Sequence, residues 1–198
     1  MSDTASKVDL ANGNFAALLF DCDGTLADTA ELHHYAIAAA VKSLGHEMPK
    51  HWYLDRVGLS LDQLLKEFKN LCGVLLDRKD LSPLEEEIYC RNTSMIREIE
   101  AVASIVRNNA GKLPMAVVSS STRRMVMATL EALQLTPYFS TVITVEDTVN
   151  PKPAPDGLLK AAQRLGIDPS RCLVFEDSQH GLDAARNANM TAQDVRLL

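Results

Sequence analysis

Phe15-Ala-Ala-Leu-Leu-Phe20 is an unbroken apolar run that stops at a carboxylate, Asp21. A strand with one wet face alternates apolar and polar residues, so a run without alternation has to be buried on both faces. Three more such runs follow, Leu113 to Ser119, Thr141 to Val145 and Arg171 to Phe175. Helical patterns separate these three and follow the last. Residues 122–134 place Met125, Val126, Thr129, Leu130 and Leu133 at spacings of one, three and four. Residues 155–165 open with Pro155 as a first helical residue and end at Gly166 as a C-cap, and 178–189 is a third candidate. Alternating strands and helices imply βαβ units, hence an α/β fold with a parallel sheet.

One stretch breaks the alternation. About ninety residues between the first run and the second contain no convincing strand. Helical candidates there are 29–44, ending at Gly45, then 61–72 and 83–109. The stretch is too long for a simple crossover. It reads as an inserted helical cap over 29–96, with the helix that ends at Gly111 returning to a core made of 15–28 and 97–198. Residues 1–14 read as a flexible tail.

The formal charge of −6 gives no field that would attract nucleic acid or anionic lipid, so an anionic substrate must be caught by local positive groups. Cys22, Cys72, Cys90 and Cys172 match no C-x-x-C spacing and read as reduced thiols in a reducing compartment. The polar start, Met1 to Asn14, has no apolar core of a signal peptide, and no run approaches the roughly 20 residues needed to span a bilayer. The expectation is a soluble, cytoplasmic protein with no membrane or nucleic-acid partner, and a monomer is favoured.

Ligands in open α/β sheets bind beyond the carboxyl ends of the strands. After the first run comes Asp21-Cys-Asp-Gly-Thr-Leu-Ala-Asp28; after the second, Ser119, Ser120, Ser121 and Thr122; after the third, Asn150-Pro-Lys152-Pro; after the fourth, Glu176 and Asp177. These groups should meet at one rim. Four carboxylates there, Asp21, Asp23, Glu176 and Asp177, repel one another unless a cation intervenes. An all-oxygen set suits a hard ion such as Mg²⁺, which pairs with substrate phosphate. The serine hydroxyls, Lys152 and the helix N-termini after the second and fourth runs suit the phosphate itself. Asp21 and Asp23 are two apart, so extended backbone turns both side chains the same way. One can attack phosphorus while the other moves the protons. Spacing alone does not assign the two roles.

Asp21-Cys-Asp-Gly-Thr-Leu, Ser119, Lys152 in N-P-K-P-A-P-D and Glu176-Asp177 in F-E-D-S, in this order, closely resemble the four motifs of the haloacid dehalogenase superfamily, over residues 15–198. The resemblance implies a Rossmann-like core and a Mg²⁺-dependent phosphatase acting on a small phosphomonoester. It makes Asp21 the nucleophile and Asp23 the acid/base. It makes Asp21, the Asp23 backbone carbonyl and Asp177 metal ligands, with Glu176 nearby or ligating. Ser119, with Ser120 beside it, and Lys152 would hold the phosphoryl oxygens. The helical insertion resembles the β-phosphoglucomutase-like branch, and the D-V-R-L-L ending is similar to its fructose-1-phosphatase-like members.

Within that branch His33, in D-T-A-E-L-H, sits where sugar-phosphate members carry a histidine, which makes it a substrate candidate. The mutase motif G-x-S-R reads Gly58-Leu-Ser60-Leu61 here, and the missing arginine favours hydrolysis of a monophosphate over mutase chemistry. Asp23 argues against dehalogenase chemistry, since that branch lacks a second aspartate. Arg123 and Arg124 open a helix beside the phosphate loop; a solvated helix face competes with a substrate contact, and Arg123 is kept as a candidate. A sugar-phosphate mutase and a non-catalytic ligand-binding relative are the competing readings.

Overall fold

The computed structural model describes residues 14–56, 59 and 61–198. The tail read over 1–14 therefore lies outside the described residues except for Asn14, and so do Gly58 and Ser60 of the G-x-S-x segment.

Five parallel strands form the sheet: β1 (Ala17–Phe20), β4 (Met115–Val118), β5 (Thr141–Ile143), β6 (Cys172–Glu176) and β7 (Thr191–Asp194). Their order is β5-β4-β1-β6-β7. Leu19 lies between Ala116 of β4 and Val174 of β6. Successive residues of β1 feed opposite cores, as a strand covered on both sides must. Ala17 and Leu19 pack with Leu158, Ala161 and Ala162 of α7 (Asp156–Leu165) and with Ala184 and Ala185 of α8 (Gln179–Asn187). Leu18 and Phe20 pack with Val102, Ala103 and Val106 of α5 (Glu100–Asn109) and with Val126 and Leu130 of α6 (Arg123–Ala132). Phe20 stacks on Phe175 of β6 at 4.7 Å. The chain leaves β1 toward β4 and leaves β6 toward β7, so a crevice opens between the carboxyl ends of β1 and β6.

The chain divides into two compact units. One runs through Asp28 and resumes at Arg97; the other is Thr29–Ile96. The second holds α1 (Ala30–Ser43), α2 (Lys50–Leu54), α3 (Leu61–Cys72) and α4 (Arg78–Arg91). Its own core gathers Ile37, Val41, Trp52, Leu65, Phe68 and Leu81.

Three elements differ from the sequence reading. The helix read over 83–109 is broken: α4 ends at Arg91, and β3 (Arg97–Glu98) pairs antiparallel with β2 (Ala27–Asp28) before α5 begins. The Ile99 N–H donates to the Leu26 carbonyl at 3.0 Å, so pairing with a distant segment overrides local helical pattern. β7 has no apolar run because it is a sheet edge, paired only with β6. Pro155 is the N-cap of α7 rather than its first residue, and Gly166 closes that helix in the left-handed conformation, φ 69°. No disulfide joins Cys22, Cys72, Cys90 or Cys172.

Candidate active site

Asp21 extends the parallel pairing one residue past β1, its N–H donating to the Phe175 carbonyl at 3.0 Å. That places its carboxylate at the crevice, 8% exposed. Lys152 Nζ donates to Asp21 Oδ1 and to Glu176 Oε2, both at 2.6 Å. Its loop is fixed by Asn150, whose N–H and Nδ2 donate to Asp156 Oδ2, and by Asn187 Nδ2 donating to the Pro153 carbonyl. The Lys152–Pro153 peptide is cis.

One ammonium thus serves two buried carboxylates. Burial would lower the Lys152 pKa, but Asp21 and Glu176 outweigh it and push it up, so the charge stays on the nitrogen. Burial, then the charge of Glu176, lifts Asp21 well above the usual carboxylate range, with Lys152 pulling against them. Glu176 is also buried, yet Lys152 and Ser178 more than offset the burial and hold it below its ordinary value. Its Oε1 accepts from the N–H of Asp177 and of Ser178 and from Ser178 Oγ, at 3.1, 3.1 and 2.9 Å.

Asp177 follows at the end of β6, with Thr25 Oγ1 donating to its Oδ1 at 3.1 Å. Gly24 makes this approach possible: at φ 83° it suits glycine, and a Cβ there would lie 2.3 Å from Asp177 Oδ2. Burial and the charge of Glu176 push the Asp177 pKa up to about 6, against the Thr25 hydrogen bond. Ligand oxygens of Asp21, Glu176 and Asp177 lie within 4.8 Å of one another. Three carboxyls share this space with one ammonium, and burial, then the charge of Glu176, makes ionising Asp21 and Asp177 costly without a further cation. An oxygen-only set short of positive charge fits a hard divalent cation. Both oxygens of Glu176 already accept hydrogen bonds. Asp21 and Asp177 therefore keep more lone pairs for an ion.

Asp23 faces the end of β4. Its Oδ2 accepts from Ser121 Oγ at 2.7 Å and from Ser119 Oγ at 3.4 Å. Ser119 Oγ in turn accepts from the Ser121 N–H at 3.0 Å. The backbone turns back immediately, Gly24 N–H donating to the Ala27 carbonyl at 2.8 Å.

The structure brings Asp21, Lys152, Glu176 and Asp177 into one cluster, and sets Asp23 against Ser119. Ser120 is exposed, and Ser121 rather than Ser120 reaches Asp23. Arg123 is exposed; its guanidinium pairs with Asp147 and donates to the Val142 carbonyl at 3.2 Å. His33 belongs to the helical unit, its ring 4.7 Å from that of Tyr89. Sequence reasoning missed Ser121, Thr25 and Ser178 as partners of the carboxylates. Ser121 had no signal that set it apart from Ser120 within the serine run after β4. Thr25 and Ser178 had none beyond lying next to motif residues.

The fold and the cluster define a hydrolase class. The model of the haloacid dehalogenase-like hydrolase family matches residues 18–195, and the chain belongs to that family. Among similar proteins is the fructose-1-phosphate phosphatase YqaB of Escherichia coli, 33% identical over 93% of this chain and 98% of that protein. The protein CbbY of Rhodobacter capsulatus is 32% identical over 88% of this chain and 82% of its own length. The crystal structure of a CbbY variant from Rhodobacter sphaeroides in complex with xylulose-(1,5)bisphosphate shares the fold, with a TM-score of 0.81 at 23% identity over 90% of this chain and 84% of that one.

Proposed function

We propose that this hydrolase is a Mg²⁺-dependent phosphatase of the cytoplasm that cleaves a small sugar phosphate through a phosphorylated Asp21. The observation that carries the reading is Lys152, whose ammonium bridges Asp21 and Glu176 beside Asp177 at the crevice. The name of the similar E. coli protein, which is matched over nearly its whole length, points to a ketohexose phosphate as the first substrate to try.

In this mechanism a carboxylate oxygen of Asp21 attacks phosphorus and the bond from phosphorus to the leaving oxygen breaks. The Asp23 carboxyl gives its proton to that oxygen, and the substrate alcohol departs. Asp23 is then a carboxylate and takes a proton from water. The water oxygen attacks phosphorus, the bond to Asp21 breaks, and inorganic phosphate leaves. Lys152, Ser119 and Ser121 supply donors for the phosphoryl oxygens, with Ser120 contributing from the same loop. Ser119 and Ser121 also orient Asp23. Asp21, Asp177, the Asp23 carbonyl and, less freely, Glu176 would hold the ion. When bound, Mg²⁺ offsets the carboxylates and the phosphoryl charge. His33 and Arg123 are the residues we would test for contact with the leaving group.

The test is phosphate release from a panel of sugar monophosphates, with Mg²⁺ and with a chelator, beside Asp21→Asn. Metal-dependent release by the wild type and none by the variant supports the reading. Conversion of a hexose 1-phosphate to its 6-phosphate without net release would replace it with a mutase.

A further inference from the structure

Gly181 sits in the first turn of α8, where glycine is a poor helix former and no positive φ requires it. Space does require it. A Cβ on Gly181 would lie 1.8 Å from Glu176 Oε2 and 1.9 Å from its Cδ. The carboxylate therefore occupies the volume that any other residue would fill. Glu176 has little freedom to withdraw. It is 1% exposed, and its two oxygens accept from Asp177 N–H, Ser178 N–H, Ser178 Oγ and Lys152 Nζ. Ser178 closes the arrangement, since its Oγ also accepts the Gly181 N–H at 3.0 Å as the N-cap of α8. The first turn of α8 and the Glu176 carboxylate are thus built against each other.

We infer that Gly181 is a positioning residue: its missing side chain leaves the recess in which Glu176 lies against Lys152, and through Lys152 it sets the ammonium on Asp21. A larger residue displaces the Glu176 carboxylate, and Lys152 loses one of the two anchors that aim it. The inference rests on the phosphatase reading for its kinetic consequence and on sterics alone for its structural one.

The experiment is a double-mutant cycle of Gly181→Ala and Glu176→Asp in the full chain. It reads kcat/KM on the best sugar phosphate, calorimetric affinity for inorganic phosphate, and Tm. Gly181→Ala is expected to lower kcat/KM by about 10–100-fold, the range for residues that orient active groups, and to weaken phosphate binding in step. Aspartate is one methylene shorter and vacates part of the recess. In the Glu176→Asp background the same alanine should therefore cost several-fold less, a coupling that independent sites do not show. Equal fold-losses in both backgrounds would place Gly181 in helix packing alone and overturn the inference, as would wild-type kinetics in Gly181→Ala. If Gly181→Ala does not fold while the double variant does, the clash with Glu176 is confirmed; if neither folds, the inference fails. If the wild type releases no phosphate from any sugar phosphate, the functional reading falls, and the coupling in Tm still decides the role of Gly181.

Discussion

The Thr25 hydroxyl donates to Asp177 Oδ1 at 3.1 Å across 152 residues of sequence. The bond ties the turn after β1 to the end of β6, the two strands that flank the crevice. It opposes, without cancelling, the burial that pushes the Asp177 pKa up to about 6. A carboxyl raised in the folded state favours the protonated form, so its contribution to stability is full below an unfolded pKa of about 4 and is lost as pH rises through about 6. The metal-free protein should lose Tm over that window, and Asp177→Asn should lack that part of the slope. In the proposed function Mg²⁺ competes with the same proton. Its stabilising effect should grow as pH rises from about 4.5 to 7. Thermal melts with Mg²⁺ and with a chelator check this; an equal Mg²⁺-induced shift at both ends would rule it out. Thr25→Val removes the opposing hydrogen bond and should move the transition to higher pH.

Asp21→Asn removes the oxygen that attacks phosphorus in the proposed mechanism, and one carboxyl of the crowded cluster. Turnover should fall by roughly 10⁴-fold or more, as when a covalent nucleophile is lost. The fold should survive, because Lys152 retains Glu176 at 2.6 Å. Asp21 is held well above its ordinary pKa by burial and by Glu176, so its replacement by a neutral isostere should leave the metal-free Tm unchanged or raise it near pH 7. A marked fall in Tm would show that Asp21 stabilises the fold through Lys152 more than it strains it.

The cluster at the crevice was legible because Asp21 directly follows β1, Glu176 and Asp177 stand at the end of β6 and Lys152 lies in the connection that leaves β5, and strands buried on both faces announce themselves as unbroken apolar runs. Asp21, Lys152, Glu176 and Asp177 were picked out by the strand ends together with the order of the four motifs, and needed no structure. The hydrogen bonds among them did. Nothing in the sequence says that Ser121 rather than Ser120 meets Asp23, because the turn after β4 sets that orientation and serine runs leave it open. Thr191–Asp194 is a strand through pairing with β6, not through its own residues, and a polar edge has no pattern to read. The break at Arg97–Glu98 within a helical stretch is likewise a tertiary effect: its partner, Ala27–Asp28, lies at the other end of the insertion.

Asp147 is a second charged centre, away from Asp21 and Asp177 in sequence. It accepts from the Thr144 N–H and hydroxyl at 3.1 and 3.2 Å, from Arg164 at 2.8 Å, and from Arg123. Burial acts to raise its pKa, but the Thr144 N–H and the two guanidinium groups prevail and bring it down to about 2. For a depressed acid the stabilisation is present above the unfolded pKa of about 4 and disappears as pH falls toward 2. Asp147→Asn should therefore cost about 1–2 kcal/mol near neutral pH, discounted for the partly exposed arginines, with the difference shrinking below about pH 4. Denaturant titrations of both proteins across that range read the gap directly. A constant gap would mean the amide loses shape or packing rather than charge.

His34 favours its neutral form in the helical unit. Its Nε2 is buried without a hydrogen-bond partner among the described residues, and its ring lies 5.3 Å from that of Tyr53. Burial, then the nearby Lys50 ammonium, lowers its pKa, with Glu31 opposing. Folding thus favours the neutral imidazole, whereas the unfolded chain takes up a proton near pH 6.5. Stability from this residue is present above that pH and lost as pH falls below it. His34→Phe keeps an aromatic ring against Tyr53 and has nothing to protonate. Amide exchange across Ala30–Ser43, corrected for the intrinsic rate, should speed up in the wild type between about pH 7 and 5 and change less in the variant. The same loss of protection in both proteins would move the acid sensitivity elsewhere, for instance to carboxylates of α4, the helix packed on α1.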